Sequence, residues 1–408
     1  MPNSIAIKEF MLLFRKFTFI HTHKEETGMR NALLQKNGSK RELLEFARRW
    51  SRVMQADGFV DDHIHPDRGG TFVEGYFEQG GGLNIYIDAP LWVKQNAIGV
   101  LHRGPAYLSE ELTKRMEFII QLKMAAREKQ ANFVVDCSDD IEGRAFYAAL
   151  KLREKYKGKI TINVGAYAIF GIKTWREPRW LHLQELAPKA QFIVGLPERD
   201  GRGDHPVGFE GHISLLYELA LKHRLPLHVH VDQTNTSTEC GTERLINVVR
   251  ALSMRVPPED RPIVSAVHML IGGKEDEEIV EIVSHLKELK MEVKCCPHAA
   301  ASMRQMRNYR DPLHPPIAPV RECIVAEVPV GLGTDNTNDL LMPLPKLPLL
   351  IREMETLASL IRYYDTNVLW KLARRQPLDD TDRASVAQNL ARDYDAFGLP
   401  NPWARFTR

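Results

Sequence analysis

Gly58-Phe59-Val60-Asp61-Asp62-His63-Ile64-His65-Pro66-Asp67 is a short apolar run that closes on two histidines one residue apart. Side chains on a β-strand alternate between faces, so His63 and His65 point the same way at the end of such a strand. Two imidazoles held in parallel form half of a divalent-metal site. An isolated pair among 15 histidines would carry little weight. Its weight comes from four later segments that end in ligand-type or polar residues in a repeating order.

From residue 59 the chain alternates β-rich runs with amphipathic helical stretches. The runs cover 59–63, 133–137, 160–164, 192–196, 227–231, 263–268, 291–295 and 329–333, and helix-period segments at 108–129, 141–156, 212–223, 243–254, 275–289 and 319–326 lie between them. Repeated β-then-α order implies right-handed parallel crossovers, and eight units close into an α/β (β/α)8 TIM barrel. An open doubly wound sheet would carry a Gly-rich phosphate loop after its first strand. None follows Val60, and Gly80-Gly81-Gly82 falls in a connection. The domain expectation is a helical N-terminal extension over 1–57, a barrel over 58–350 and C-terminal helices over 351–408 packed on the barrel. The extension reads as a helix at 5–16, a β-like 17–20 and a helix at 39–55. The C-terminal helices read as 349–361, 368–373 and 384–394.

Charged residues make up 26% of the 408 and the net charge is +2, so no overall field favours nucleic acid or a membrane surface. Lys and Arg are spread along the helical stretches and read as solvated faces. The five cysteines, Cys137, Cys240, Cys295, Cys296 and Cys323, are odd in number, sparse and mostly in apolar surroundings, which suits a reducing compartment. Residues 5–16 are broken by charge and lack a small-residue cleavage site, and no apolar run is long enough to span a bilayer. The expectation is a cytoplasmic homo-oligomer with a small-molecule substrate and neither nucleic-acid nor membrane partners.

The C-terminal ends of barrel strands share one rim, where catalytic groups gather. In strand order these ends are His63 and His65; Asp136 and Cys137; Asn163; Glu198; His228, His230 and Asp232; His268; Cys296 and His298; Asp335 and Asn336. Three histidines and a carboxylate make a sound shell for a divalent ion with room for water. Such an ion acidifies the water, and a nearby carboxylate can take its proton.

This order resembles the amidohydrolase superfamily, in particular the cytosine deaminase-like branch with the N-isopropylammelide amidohydrolases. The likeness covers roughly residues 58–350. It rests on the opening stretch, on Leu227-His228-Val229-His230-Val231-Asp232-Gln233, on Val264-Ser265-Ala266-Val267-His268, on Gly331-Leu332-Gly333-Thr334-Asp335-Asn336 and on Met342-Pro343-Leu344. The resemblance implies metal ligands at His63, His65, His230 and Asp335, with Asp335 also the general base and His268 assisting the water. It implies one divalent metal, Zn2+ in the first place and Fe2+ as the alternative. It implies hydrolysis of a C–N bond in a small cyclic or N-heteroaromatic compound.

Three departures stand out. The branch's proton-shuttling Glu, three residues after the strand-five ligand, is here Gln233, which hydrogen-bonds but does not titrate. The strand-three loop, Tyr167-Ala168-Ile169-Phe170-Gly171, is apolar and aromatic where the branch places a Gln, and Asn336 stands where it has a second acid. The expected roles are therefore catalysis for Asp335, His268 and Gln233, and substrate contact for Asn336, Arg68 and Ile169, with Arg68 suited to an anionic or carbonyl group. Third, neither flank alternates as a β-sandwich would, so the sandwich is expected to be reduced or absent. Exocyclic deamination with a replaced shuttle, displacement of another leaving group and a non-catalytic metal-binding scaffold remain as alternatives. His21-Thr22-His23 is a rival for strand one, His228 a rival for His230, and Cys295-Cys296-Pro297-His298 a rival soft-metal site better explained by core packing.

Overall fold

The computed structural model describes residues 58–406 apart from 79–80, 88, 203–204, 304–313 and 343–346. The readings placed on 1–57, His21-Thr22-His23 among them, and the Pro343-Leu344 pair lie outside the described residues. Eight parallel strands follow in chain order: β1 (Phe59–Ile64), β2 (Glu128–Asp136), β3 (Thr161–Tyr167), β4 (Phe192–Gly195), β5 (Leu227–Val231), β6 (Val264–His268), β7 (Glu292–Cys295) and β8 (Val330–Leu332). Each pairs with the next, and a parallel bridge between Ile64 and Asp335 joins the last strand's end to the first. The fold is the expected (β/α)8 barrel, and among the described residues no flanking strand adds a sandwich.

The strands form where the sequence is apolar or β-branched, because both faces of a barrel strand are covered. Val134, Val194, Val229 and Val267 are all fully buried. Helices Ser109–Ala125, Arg144–Lys155, Gly208–His223, Gly241–Ser253 and Asp276–Glu288 form an outer layer at the expected places. Helices Leu350–Leu360 and Thr366–Ala373 pack against β1 and β8.

Two readings need correction. The helix expected over 108–129 ends at Ala125, and β2 starts at Glu128. Glu128, Lys129 and Gln130 look like a helix tail, yet the β1 and β3 ladders recruit them through Phe59↔Glu128 and Gln130↔Thr161. Helices Leu91–Arg103 and Pro178–Leu186 were not expected. The first contributes Leu91 and Gln95 to the rim pocket.

Candidate metal centre

The rim residues converge because of how β1 and β8 close on each other. In β1, Asp61 pairs with Ala131 and Ile64 with Phe133, so three residues step past two. An extra residue of this kind re-aims side chains at a strand's end. Asp335 then donates its N–H to the His63 carbonyl at 2.8 Å and accepts the His65 N–H at 3.0 Å. The carboxylate is thus fixed by backbone bonds to both flanking histidines. Asp232, His268 and Asp335, where β5, β6 and β8 end, have φ of +52°, +75° and +54°. A left-handed backbone at a non-glycine residue costs about 1–2 kcal/mol. Three such residues on one rim show side chains aimed at the expense of backbone ease.

Gly333 permits the closure. A Cβ there would stand 2.7 Å from both Cβ and O of His63. Gly333→Ala is expected to force β8 off β1, to cost about 1–3 kcal/mol and to lower metal occupancy. Thermal unfolding with metal analysis checks this; unchanged values in both would show that the seam yields without moving the ligands.

The imidazoles of His63, His65, His230 and His268 are all buried. His63 Nε2 and His230 Nε2 face each other at 3.1 Å. Asp335 Oδ1 lies 3.3 Å from His65 Nε2 and 3.9 Å from His63 Nε2, and Oδ2 lies 3.7 Å from His268 Nε2. Burial, reinforced by the neighbouring imidazoles, holds His63 and His230 well below their usual pKa; burial and Arg68 do the same to His65. Neutral imidazoles present lone pairs, the form in which histidine binds metal. His230 Nδ1 donates to the Gly195 carbonyl at 3.1 Å, which leaves Nε2 as the unprotonated nitrogen.

Nitrogens about 2.0–2.1 Å from a tetrahedral ion lie about 3.3 Å from each other. The 3.1 Å between His63 Nε2 and His230 Nε2 is close to that spacing, and the carboxylate oxygen Asp335 Oδ1 lies at a similar 3.3 Å from His65 Nε2. These nitrogen and carboxylate donors are of the kind that fits a divalent cation. His63, His65 and His230 form one donor group, Asp335 forms a second with His268 and Cys296, and the approach of the Asp335 carboxylate to His65 Nε2 links the two. Burial alone pushes His268 down to about 3, so this fourth imidazole beside the carboxylate is neutral as well.

The pocket opening on this cluster brings together every residue expected to meet substrate: Arg68, Ile169, Gln233 and Asn336, joined by Tyr167 and Gln95. Tyr167 stacks on His230, with centroids 5.1 Å apart and planes at 29°. Arg68 is only 2% exposed. Its guanidinium lies 5.8 Å from the Tyr167 centroid, and its Nε has no partner among the described residues. Burial would lower its pKa, but Asp136, Asp67, Tyr167 and Asp339 outweigh that and keep it charged. Asn336 Nδ2 donates to Asp335 Oδ1 at 2.9 Å, so this amide steadies the carboxylate and leaves its carbonyl and its second N–H for other partners.

Other rim residues fall elsewhere. His298 is held by Thr356 and Glu353, and Asn163 donates to Asn132, both away from the cluster. His228 lies lower in β5 against Phe192, with centroids 4.5 Å apart. Cys296 packs with Ala299 and Met342 as a core cysteine should, yet its sulfur also lies within 4.8 Å of ligand atoms of His268 and Asp335.

Beneath Arg68 lies a layer that sequence reasoning missed. Tyr107 donates to Asp67 at 3.1 Å, and His102 bridges Asp136 at 3.1 Å and Asp140 at 2.9 Å. Burial opposes the charge on His102, but those carboxylates raise its pKa to about 9. In this layer Asp136 had a positional signal as the end of β2 and Asp67 as the close of the strand-one stretch, whereas Tyr107, His102 and Asp140 had none.

The class defined by the strand order is the (β/α)8 barrel, a fold this chain shares with solved structures of deaminases and hydrolases. The solved structures that the chain is similar to include 5-methylcytosine deaminase from Klebsiella pneumoniae liganded with 5-fluorocytosine. It is 18% identical, over 81% of this chain and 74% of that one, with a TM-score of 0.63. N-isopropylammelide isopropylaminohydrolase from Burkholderia multivorans is 17% identical, over 84% and 74%, with a TM-score of 0.53. At such identities the likeness is one of fold. In sequence, the chain is 26% identical over 272 residues to an uncharacterised protein of Haemophilus influenzae, covering 67% of this chain and 92% of that one. No family model matches. Among the described residues, no helix is long and apolar enough to cross a membrane.

Proposed function

We propose that this chain is a metal-dependent hydrolase of the amidohydrolase superfamily that cleaves a C–N bond of a small cyclic or N-heteroaromatic compound. The observation that carries this reading is the convergence of the His63, His65 and His230 imidazoles, with the Asp335 carboxylate 3.3 Å from His65 Nε2, beside one rim pocket. A divalent ion held there supplies Lewis acidity and a water acidic enough to ionise near neutral pH. The nitrogen and oxygen donors suit Zn2+ and accommodate Fe2+.

The chain's own groups divide the remaining work. Asp335, steadied by Asn336, takes the proton from the attacking water and hands it to the departing nitrogen. His268, neutral and beside that carboxylate, hydrogen-bonds the attacking oxygen. Tyr167 and Ile169 form the apolar wall on which a flat ring rests. Arg68, buried and charged, meets a carbonyl or anionic edge of the substrate, where a charge-assisted hydrogen bond contributes about 1.5–3 kcal/mol. Gln233 lacks the titrating group of a conventional cytosine deaminase. That favours substrates whose leaving nitrogen needs one proton from Asp335 and no second shuttle.

The test is to load purified protein with Zn2+ and to assay ammonia or amine release, and ring opening, from cytosine, 5-fluorocytosine, N-isopropylammelide and dihydrouracil. Turnover that disappears on chelation and returns with Zn2+ is the expected result. Stoichiometric tight metal with no turnover across a wider heterocycle set would instead favour the scaffold reading.

A further inference from the structure

Gln233 lines the pocket from the turn after β5, and the groups behind it decide which end of its amide faces inward. Glu198, the first residue of the single-turn helix Glu198–Gly201 beyond β4, accepts Gln233 Nε2 at 2.9 Å through Oε2. Through Oε1 it accepts the Asp232 N–H at 3.0 Å. The turn is pinned from its other side as well, because the Asp232 carboxylate accepts the N–H groups of Gly241 at 2.7 Å and Thr242 at 3.0 Å. An ionised Glu198 only accepts, so in that form the amide gives Glu198 its NH2 end and keeps its carbonyl for the pocket.

We propose that Glu198 is a positioning residue that fixes Gln233 as a hydrogen-bond acceptor, so that the substrate brings a ring or exocyclic N–H to Gln233 rather than a carbonyl. The substrate half of this rests on the hydrolase reading above; the Glu198–Gln233 pair does not. The resulting polarity is asymmetric. Gln233 Oε1 and Asn336 Oδ1 accept, while Arg68 donates. A matching ring carries N–H on one edge and oxygen on another, the pattern of a cyclic amide or a lactam-form oxo-heterocycle.

Burial raises the Glu198 carboxyl to about 8, helped by Glu239 and Asp232 and opposed by Arg202 and the Gln233 bond; Arg244 faces it too. The ionised form, which both N–H bonds require, therefore gains population as pH rises through that value. A protonated Glu198 can donate to Gln233 Oε1 and turn the amide round. Substrate affinity should accordingly improve with rising pH near 8 in the wild type, and that limb should vanish in Glu198→Gln.

Two measurements on the zinc-loaded full chain test the proposal. The first is thermal unfolding at pH 8.5 of wild type, Gln233→Glu and the exchanged pair Glu198→Gln/Gln233→Glu. Gln233→Glu faces one carboxylate with another and should lower Tm by about 2 °C or more, and the exchange should restore at least half of that. Equal Tm values for the single and exchanged variants would overturn the pairing, with no substrate needed. The second compares each hydrolysed ring compound with its N-methyl homologues. Methylation of one particular nitrogen should lower kcat/KM by about tenfold or more in the wild type and clearly less in Glu198→Gln. Equal hydrolysis of parent and N-methyl compounds would overturn the acceptor role. If no ring compound is turned over, the substrate assignment falls together with the hydrolase reading, while the pairing is still judged by unfolding.

Discussion

His230→Ala is expected to strip the metal and abolish turnover while leaving the barrel folded. Its ring contributes the nitrogen that faces His63 Nε2 at 3.1 Å, and its Nδ1 is anchored on Gly195. Loss of a partner that merely orients a ligand lowers metal affinity roughly 10–100-fold, so loss of the ligand itself should exceed that range. Turnover, if it depends on the ion, should drop by more than about 10³-fold. His228→Ala is the matched control. It removes a buried imidazole from the same strand, two residues and about 6.6 Å nearer the strand's start, where the ring packs at a tilt against Phe192 and faces Asp62 and Lys294. Metal analysis and far-ultraviolet circular dichroism of both variants decide the assignment. Full occupancy in His230→Ala, or loss only in His228→Ala, would move the site.

This pair of residues also marks where sequence legibility ends. Alternation along a strand places His228 and His230 on one face, and only the resemblance selected His230. The structure separates them by height in the barrel, a coordinate that a period-two pattern does not carry. The eight strands were legible because each is a short apolar run bounded by turn residues, and His63, His65, His268 and Asp335 were legible as polar residues where such runs stop. Glu198 was visible only as the end of β4; its grip on Gln233 depends on the turn geometry of two neighbouring strands. Arg68 follows the first strand in sequence, yet its burial comes from the packing of Tyr167 and the layer of Asp67, Asp136 and Asp339. Gly333 was visible only as part of the Gly331–Asn336 stretch; the reason for it was not, because its lack of a side chain matters only once β8 lies against His63.

The reading of Lys and Arg as solvated helix faces fails at Lys123, and this residue carries the second large expected effect. Lys123 lies near the end of helix Ser109–Ala125 and is 0% exposed. Its ammonium meets Asp61, Glu128 at 3.0 Å and the Pro348 carbonyl at 3.1 Å. Burial alone would lower its pKa, but Asp61 and Glu128 outweigh that and hold it above the usual value. Asp61 in turn accepts the N–H of His63 at 3.2 Å and of Thr334 at 3.1 Å, so the cation underlies both sides of the β1–β8 seam. Lys123→Met keeps the stem and removes the charge, leaving two carboxyl groups in a dry site. Breaking a buried pair in this way costs about 3–5 kcal/mol.

The loss should also depend on pH. Burial, with Asp61 nearby, already raises Glu128 to about 7 despite Lys123, and removal of Lys123 raises it further. A folded-state pKa above the unfolded one means that the folded chain binds the extra proton. The resulting stability is complete below the unfolded value and is lost as pH rises through the folded one. Denaturant unfolding at pH 5.5 and 8.5 should therefore show a smaller deficit for Lys123→Met at the acid end and the full deficit at the alkaline end. The same variant should hold metal less tightly at pH 8.5, because a strained Asp61 no longer fixes His63 and Thr334. A deficit under about 1 kcal/mol, or one equal at both pH values, would mean that the two carboxylates find other partners and that the seam does not lean on Lys123.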